Sequence, residues 1–215
     1  MTASAMYKGK FITVEGVEGV GKSTHMNFIA TYLRDRDQTV VTTREPGGTA
    51  VAEQIREVLL HSAKGALSDV CELLLMFAAR ASHLQEVIIP ALERGDWVVC
   101  DRFTDASYAY QGGGRGLPDE SIEQLEALVQ DSLAPDLTLL LDASPQITAA
   151  RRRDRGGVTD RFEAEQADFF ARVQAKYREL AARHPERIKV IDASGDLEAV
   201  ERQVAAELDS LINVT

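Results

Sequence analysis

Cysteine is scarce in this chain: Cys71 and Cys100 are the only two. Both sit in apolar stretches without metal-ligand spacing, which excludes a disulfide framework and a zinc cluster and leaves buried, reduced thiols. The four histidines are scattered and form no H-E-x-x-H pair. Asn27 and Asn213 are the only asparagines, so the Asn-Lys-x-Asp signature of guanine-binding switches is missing. The longest uninterrupted apolar run, Leu73 to Ala79, falls far short of the ~20 residues a membrane-spanning helix requires. The first ten residues hold no apolar stretch of signal-peptide length. A cytoplasmic protein with no membrane partner is therefore expected. Positive charge is also in deficit. With 24 Lys and Arg against 34 Asp and Glu, the formal net charge is −10, which argues against nucleic-acid binding. Any anionic ligand must be held by local clusters of arginine. No repeat, linker or low-complexity segment divides the 215 residues. One domain spanning 1–215 is expected, with residues 1–8 as a frayed tail.

What is present is a regular succession of short apolar strands: Phe11–Glu15, Thr39–Thr43, Trp97–Asp101, Leu137–Asp142 and Ile188–Asp192. Each is nearly continuous in apolar residues, as strands covered on both faces are. The intervening segments are long enough for crossover helices. The pattern predicts an α/β fold, a doubly wound parallel five-stranded sheet with helices on both faces and ligands at the carboxyl ends of the strands. One long helical stretch, about 68–94, carries Pro90, which should kink or break it.

The polar motifs follow those strands. Directly after the first comes Gly16-Val17-Glu18-Gly19-Val20-Gly21-Lys22-Ser23, which satisfies G-x-x-x-x-G-K-[ST]. The glycines let backbone N–H groups curl around a polyphosphate, Lys22 can reach its outer phosphates, and the Ser23 hydroxyl can ligate Mg²⁺. The helix starting near Lys22 adds its positive end, so that Gly16 to Thr24 form the expected ATP-binding segment. After the third strand, Asp101 could position the metal and Arg102 could fork onto a phosphate; alternatively the two form a surface ion pair. Arg44-Glu45-Pro46-Gly47-Gly48 combines a rigid turn with one charge of each sign. Tyr108, Tyr110 and Gln111 before Gly112-Gly113-Gly114 read either as a flexible loop lining a pocket for a flat base or as a glycine turn beside core tyrosines. Arg151, Arg152, Arg153 and Arg155, followed by Arg161, read either as a solvated helix face or as a mobile lid, about 151–161, closing over transferring phosphates.

Taken together and in order, the phosphate loop, Thr43 to Thr49, Phe77-Ala78-Ala79-Arg80, Asp101-Arg102-Phe103 and Ala109 to Gly116 resemble the thymidylate kinase family. The resemblance runs from about Phe11 to Asp192. It implies a P-loop nucleoside monophosphate kinase-like fold, transfer of a phosphoryl group from ATP to dTMP with Mg²⁺, and a homodimer formed through helices. It implies that Glu18 contacts the dTMP sugar, that Arg102, with Arg44 and Glu45 close by, serves the dTMP phosphate, and that Arg56 lends another arginine. Arg80 matches the thymine-binding arginine, Ser107 and Gln111 the polar residues at the base edge, and Tyr110 the ring that crowds the 2′ position. The family's stacking phenylalanine falls at Met76, one step before Phe77, so either residue could contact thymine. The phosphate loop lacks the catalytic arginine that some members carry, which resembles the bacterial type. Lys22, Arg102, Glu18 and the lid residues Arg153 and Arg155 are then the expected catalytic groups. The rivals are a kinase for another nucleoside monophosphate and an ATP-driven switch.

Overall fold

The computed structural model describes residues 7–63, 65–155, 161–162 and 165–213; at 152, 154 and 155 it describes the backbone alone. A parallel sheet is built from β1 (Phe11–Glu15), β2 (Val40–Arg44), β3 (Trp97–Asp101), β4 (Leu137–Asp142) and β5 (Ile188–Asp192). The spatial order is β2-β3-β1-β4-β5. Four of these spans match the sequence reading, and β2 lies one residue later than expected. The chain places β3 on one side of β1 and β4 on the other. That reversal opens a crevice at the carboxyl end of β1.

Helices cover both faces. On one, α1 (Lys22–Arg34) and α9 (Leu197–Asn213) pack Ile29, Leu33, Val200 and Val204 against Val14, Val99 and Leu139. On the other, α8 (Ala167–Arg183) packs Phe170, Val173 and Leu180 near Leu140 and Ile188. Two further helices, α2 (Ala50–His61) and α3 (Asp69–His83), start on side-chain caps: Thr49 accepts from the Ala52 N–H and Ser68 from the Cys71 N–H. Among the described residues no helix is long and apolar enough to cross a membrane.

Pro90 does not break the long helix. α3 runs through a π-turn, Leu84–Ile88, into α4 (Ile89–Arg94). The wider turn lies just where Pro90 cannot donate to the preceding turn, so the missing bond and the ring are absorbed by a local register change. A second π-turn, Tyr108–Gly114, follows the short α5 (Thr104–Ser107). The expected glycine loop is therefore helical and packed. A Cβ on Gly114 would come within 2.5 Å of the Phe169 ring, so the glycine allows α8 to approach rather than providing flexibility. The remaining helices are α6 (Asp119–Gln130) and α7 (Pro145–Arg155). The tail is shorter than expected, since Tyr7 packs against the core and the Gly9 N–H donates to the Leu92 carbonyl. Residues 1–6 lie outside the described part.

Candidate active site

The loop from Gly16 to Gly21 joins the carboxyl end of β1 to the first turn of α1. Gly16 has φ +134°, and a Cβ there would sit 2.4 Å from the Leu141 carbonyl, so β4 admits only glycine at this point. Val17 and Val20 point into the core and tether the loop. Glu18, Gly19, Gly21, Lys22, Ser23 and Thr24 instead line a crevice shared with Arg44, Glu45, Arg56, Asp101, Arg102 and Arg151. The Gly16 carbonyl accepts from Lys22 Nζ at 3.2 Å and from Arg102 Nη1 at 3.0 Å. Burial, then the nearby Arg102 guanidinium, pulls the Lys22 ammonium below the ordinary lysine range.

Arg102 follows β3 with φ +70°, a left-handed conformation that costs a residue with a Cβ about 1–2 kcal/mol. The surroundings hold it there. Its N–H donates to the Val14 carbonyl. Nη1 also donates to the Tyr177 hydroxyl at 3.1 Å, and Nη2 to Glu18 Oε1 at 2.8 Å and the Tyr110 hydroxyl at 3.0 Å. The conformation turns the guanidinium back over the phosphate loop. The Tyr110 hydroxyl in turn donates to Glu18 Oε2 at 2.7 Å. Burial alone would raise the Glu18 carboxyl. Arg102, Lys22 and the Tyr110 hydroxyl outweigh it and hold that carboxyl below the ordinary glutamate range.

A second cavity, about 570 Å³ with its open mouth, continues from this crevice away from Lys22 and shares Glu18, Glu45, Arg56 and Arg102 with it. Its far end is lined by Met76, Arg80, Ser107, Tyr110, Gln111 and Phe162. Arg80 is buried between the rings of Phe77 and Phe103, with its guanidinium carbon 4.5 Å and 5.0 Å from their centroids. Nε donates to Glu45 Oε2 at 2.7 Å, and Nη2 to the Phe103 carbonyl and the Ser107 hydroxyl. Nη1 is buried and has no hydrogen-bond partner among the described residues. Glu45 is fixed from its other oxygen by His83 Nδ1 at 3.0 Å. Gln111 donates from Nε2 to the buried Glu72 at 2.7 Å.

The comparisons with known proteins agree with this geometry. The thymidylate kinase family model matches residues 14–204. The chain belongs to the thymidylate kinase family. It is 58% identical to the thymidylate kinase of Chromohalobacter salexigens over 205 residues, covering 94% of this chain and 96% of the relative. It is 54% identical to that of Hahella chejuensis over 203 residues, covering 94% and 97%. In structure it resembles the thymidylate kinase of Ehrlichia chaffeensis, with a TM-score of 0.76 at 33% identity, covering 93% of this chain and 98% of that one.

Within this family member most of the motif residues line the two cavities. Met76 lines the second cavity, whereas Phe77 is buried against Leu73 and Ile122 and lies under Arg80. Neighbours on a helix point about 100° apart, so only one of the two faces that cavity. Tyr108 also points away, donating to Glu126 Oε2 at 2.6 Å. Arg44 lines only the phosphate crevice and is held by both oxygens of Glu53 at 2.9 Å. Of the arginines expected in a lid, Arg151 donates from Nη1 to the Ala193 carbonyl at 3.0 Å, and Arg153 is exposed. The side chains of Arg152 and Arg155 and residues 156–160 lie outside the described part.

Sequence reasoning missed Phe162, Glu15 and Tyr177. Phe162 was detectable as the one large apolar residue in a charged stretch. Glu15 is a carboxylate ending an apolar strand, and it is 0% exposed. Tyr177 lies on the apolar face of α8 and gives no signal that separates it from core residues.

Proposed function

We propose that the chain transfers the γ-phosphoryl group of ATP to dTMP, giving ADP and dTDP for dTTP synthesis. One observation carries the reading: two cavities that share Glu18, Glu45, Arg56 and Arg102 lead from Lys22 to Arg80, whose buried Nη1 has no hydrogen-bond partner among the described residues. An unpaired buried donor is expensive unless a ligand completes it. A thymine carbonyl supplies that acceptor, with Ser107 and Gln111 at the base edge and Met76 against its apolar face. Tyr110, fixed by Glu18 and Arg102, crowds the sugar and favours a deoxyribose. Glu18 serves the sugar, and Arg102, Arg44 and Arg56 serve the acceptor phosphate. That phosphate is already anionic, so the transfer needs alignment and charge stabilisation more than a strong base.

The donor end suits a Mg²⁺-bound triphosphate. Asp101 lines the same crevice as Lys22 and Ser23, and its Oδ1 is buried without a hydrogen-bond partner among the described residues. No group of three or more acidic, histidine or cysteine ligands exists among the described residues. Mg²⁺ is commonly held in this way, by a few protein oxygens together with substrate phosphates and water. Ser23 and Asp101 would hold it, and when bound it would neutralise phosphate charge. Segment 151–161 serves as the lid, with Arg153 and Arg155 bringing positive charge that the phosphate loop lacks.

The chain works as one domain in the cytoplasm, where Cys71 and Cys100 remain free thiols, and as a homodimer. Val51 and Val58 on α2 and Val70 and Leu74 on α3 are 46% to 56% exposed. Each pair lies on one helix face, and a second copy would cover them. Sedimentation of wild type against Val70→Asp, Leu74→Asp tests this, with a wild-type monomer as the contrary result.

ADP release from ATP and Mg²⁺ with each nucleoside monophosphate in turn, against a no-acceptor blank, tests the activity. Turnover is expected with dTMP, about 10–200-fold less kcat/KM with dUMP, and little with ribonucleotides. Equal use of dUMP would overturn the thymine assignment, and acceptor-independent hydrolysis would favour an ATP-driven switch.

A further inference from the structure

Arg102 lines both cavities, and a buried relay holds its Nη1 from behind beside the Gly16 carbonyl. Nη1 donates to the Tyr177 hydroxyl at 3.1 Å, and that hydroxyl donates to Glu15 Oε2 at 2.6 Å. Glu15 Oε1 accepts the Phe103 N–H at 2.7 Å, the peptide immediately after Arg102. Glu15 thus grips both the backbone and, through Tyr177, the side chain of the same strained residue. Neither Glu15 nor Tyr177 lines either cavity of the active site.

We infer that Tyr177 and Glu15 are positioning residues for the acceptor phosphate: they fix the Arg102 guanidinium from behind, at the distance and angle that phosphoryl transfer needs. The donors and acceptors allow only one sense of the chain. Arg102 has no acceptor atom, so the Tyr177 oxygen must accept from it. The Tyr177 proton must then go to Glu15, which receives Tyr177 on one oxygen and Phe103 on the other. Only a carboxylate offers two acceptor oxygens in that place. An amide there would either set a donor against the Phe103 N–H or turn a donor toward the Tyr177 oxygen, leaving the Tyr177 proton without its acceptor. Other charged groups facing Glu15 are Asp105 on α5, Lys22 on α1 and Arg187 just before β5. Asp105 is already held by Arg187 through both oxygens, at 2.6 Å and 2.9 Å, so it does not compete for Tyr177.

The inference rests on the reading that Arg102 binds the dTMP phosphate, and the test separates the two. Steady-state kinetics would be measured for Tyr177→Phe, Glu15→Gln and Arg102→Ala, with KM for ATP and for dTMP determined separately. Tyr177→Phe removes only the hydroxyl. It should lower kcat/KM for dTMP by about 10- to 100-fold, the range of a hydrogen bond to a charged group, with KM for ATP changed by less than about twofold. Glu15→Gln keeps the side chain's size and should give the same split, and it carries the test if Tyr177→Phe does not fold. Wild-type dTMP kinetics in both variants would overturn the inference while Arg102→Ala remains impaired. Equal losses toward ATP and dTMP would also overturn it, because they would mean a general packing role for α8. Unchanged dTMP kinetics in Arg102→Ala would overturn both the inference and the reading beneath it.

Discussion

Among the described residues, nothing accepts a hydrogen bond from Arg80 Nη1. Three neighbours take the contacts of its Nε and Nη2, and two aromatic rings lie against it, so the guanidinium is fixed before any ligand arrives. Such preorganisation puts the energy into binding rather than into reordering a long side chain. Arg80→Ala should therefore raise KM for dTMP by about 10- to 100-fold and leave KM for ATP near its wild-type value; a change confined to ATP would relocate the base pocket. The residue types in the motifs made this end of the site legible. Arg80, Ser107, Tyr110 and Gln111 were all picked from sequence, and all line one cavity. Which of Met76 and Phe77 faces that cavity was not legible, because both suit an apolar helix face and only the rotation of α3 decides. Glu45 shows a related limit. Its turn motif marks it as notable, but its grip on Arg80 and His83 depends on contacts 35 and 38 residues away.

At the scale of elements, the π-turn of Tyr108–Gly114 presents Tyr110 and Gln111 to the cavity while Gly113 and Gly114 lie against α8 and Gly112 against α6. Gly114→Ala would drive a methyl into the Phe169 ring, which itself packs edge-on to Tyr110 at 6.0 Å. Overpacking of this kind costs about 1–3 kcal/mol. Thermal unfolding of Gly114→Ala should show a Tm lower by roughly 2–12 °C, together with a higher KM for dTMP; an unaltered Tm would mean that α8 yields freely. Helix α7 makes a different prediction. It is pinned at Arg151 to the Ala193 carbonyl, and Arg153 lies exposed beyond the pin. Arg153→Ala is expected to lower kcat with little change in KM for dTMP, as for an interaction made in the transition state. A pure KM effect would mark a binding patch. The strands were legible almost to the residue because parallel, doubly covered strands leave unbroken apolar runs. The π-turns were not, since their one-residue widening has no composition of its own: Pro90 signalled disruption, and the triple glycine signalled a loop.

Across the whole molecule, the most consequential charge is one the motifs did not single out. Glu15 ends β1 in the centre of the sheet, and burial, followed by the charge of Asp105, pushes its carboxyl up to about 7 despite Arg102 and two hydrogen bonds. In the unfolded chain the same group titrates near 4.5. Below that pH it is protonated in both states and contributes nothing. Between about 4.5 and 7 the folded protein keeps a proton that the unfolded chain has lost, so stability falls as pH rises. Above about 7 both states are ionised, and the full burden remains, on the order of 3 kcal/mol. The fold thus carries an ionisable group at a place where an apolar residue would be more stable, as sites that serve chemistry often do. Glu15→Gln removes the titration while keeping the volume. The Tm of the variant minus that of wild type should therefore climb as pH rises from about 4.5 to 7 and level off above it. Above about 7, where wild-type Glu15 is ionised, a dTMP-specific loss of turnover in the variant would show that the burden belongs to holding Arg102. A Tm difference independent of pH would mean that Glu15 does not change protonation on folding, and the stability argument would then fail whatever the kinetics show.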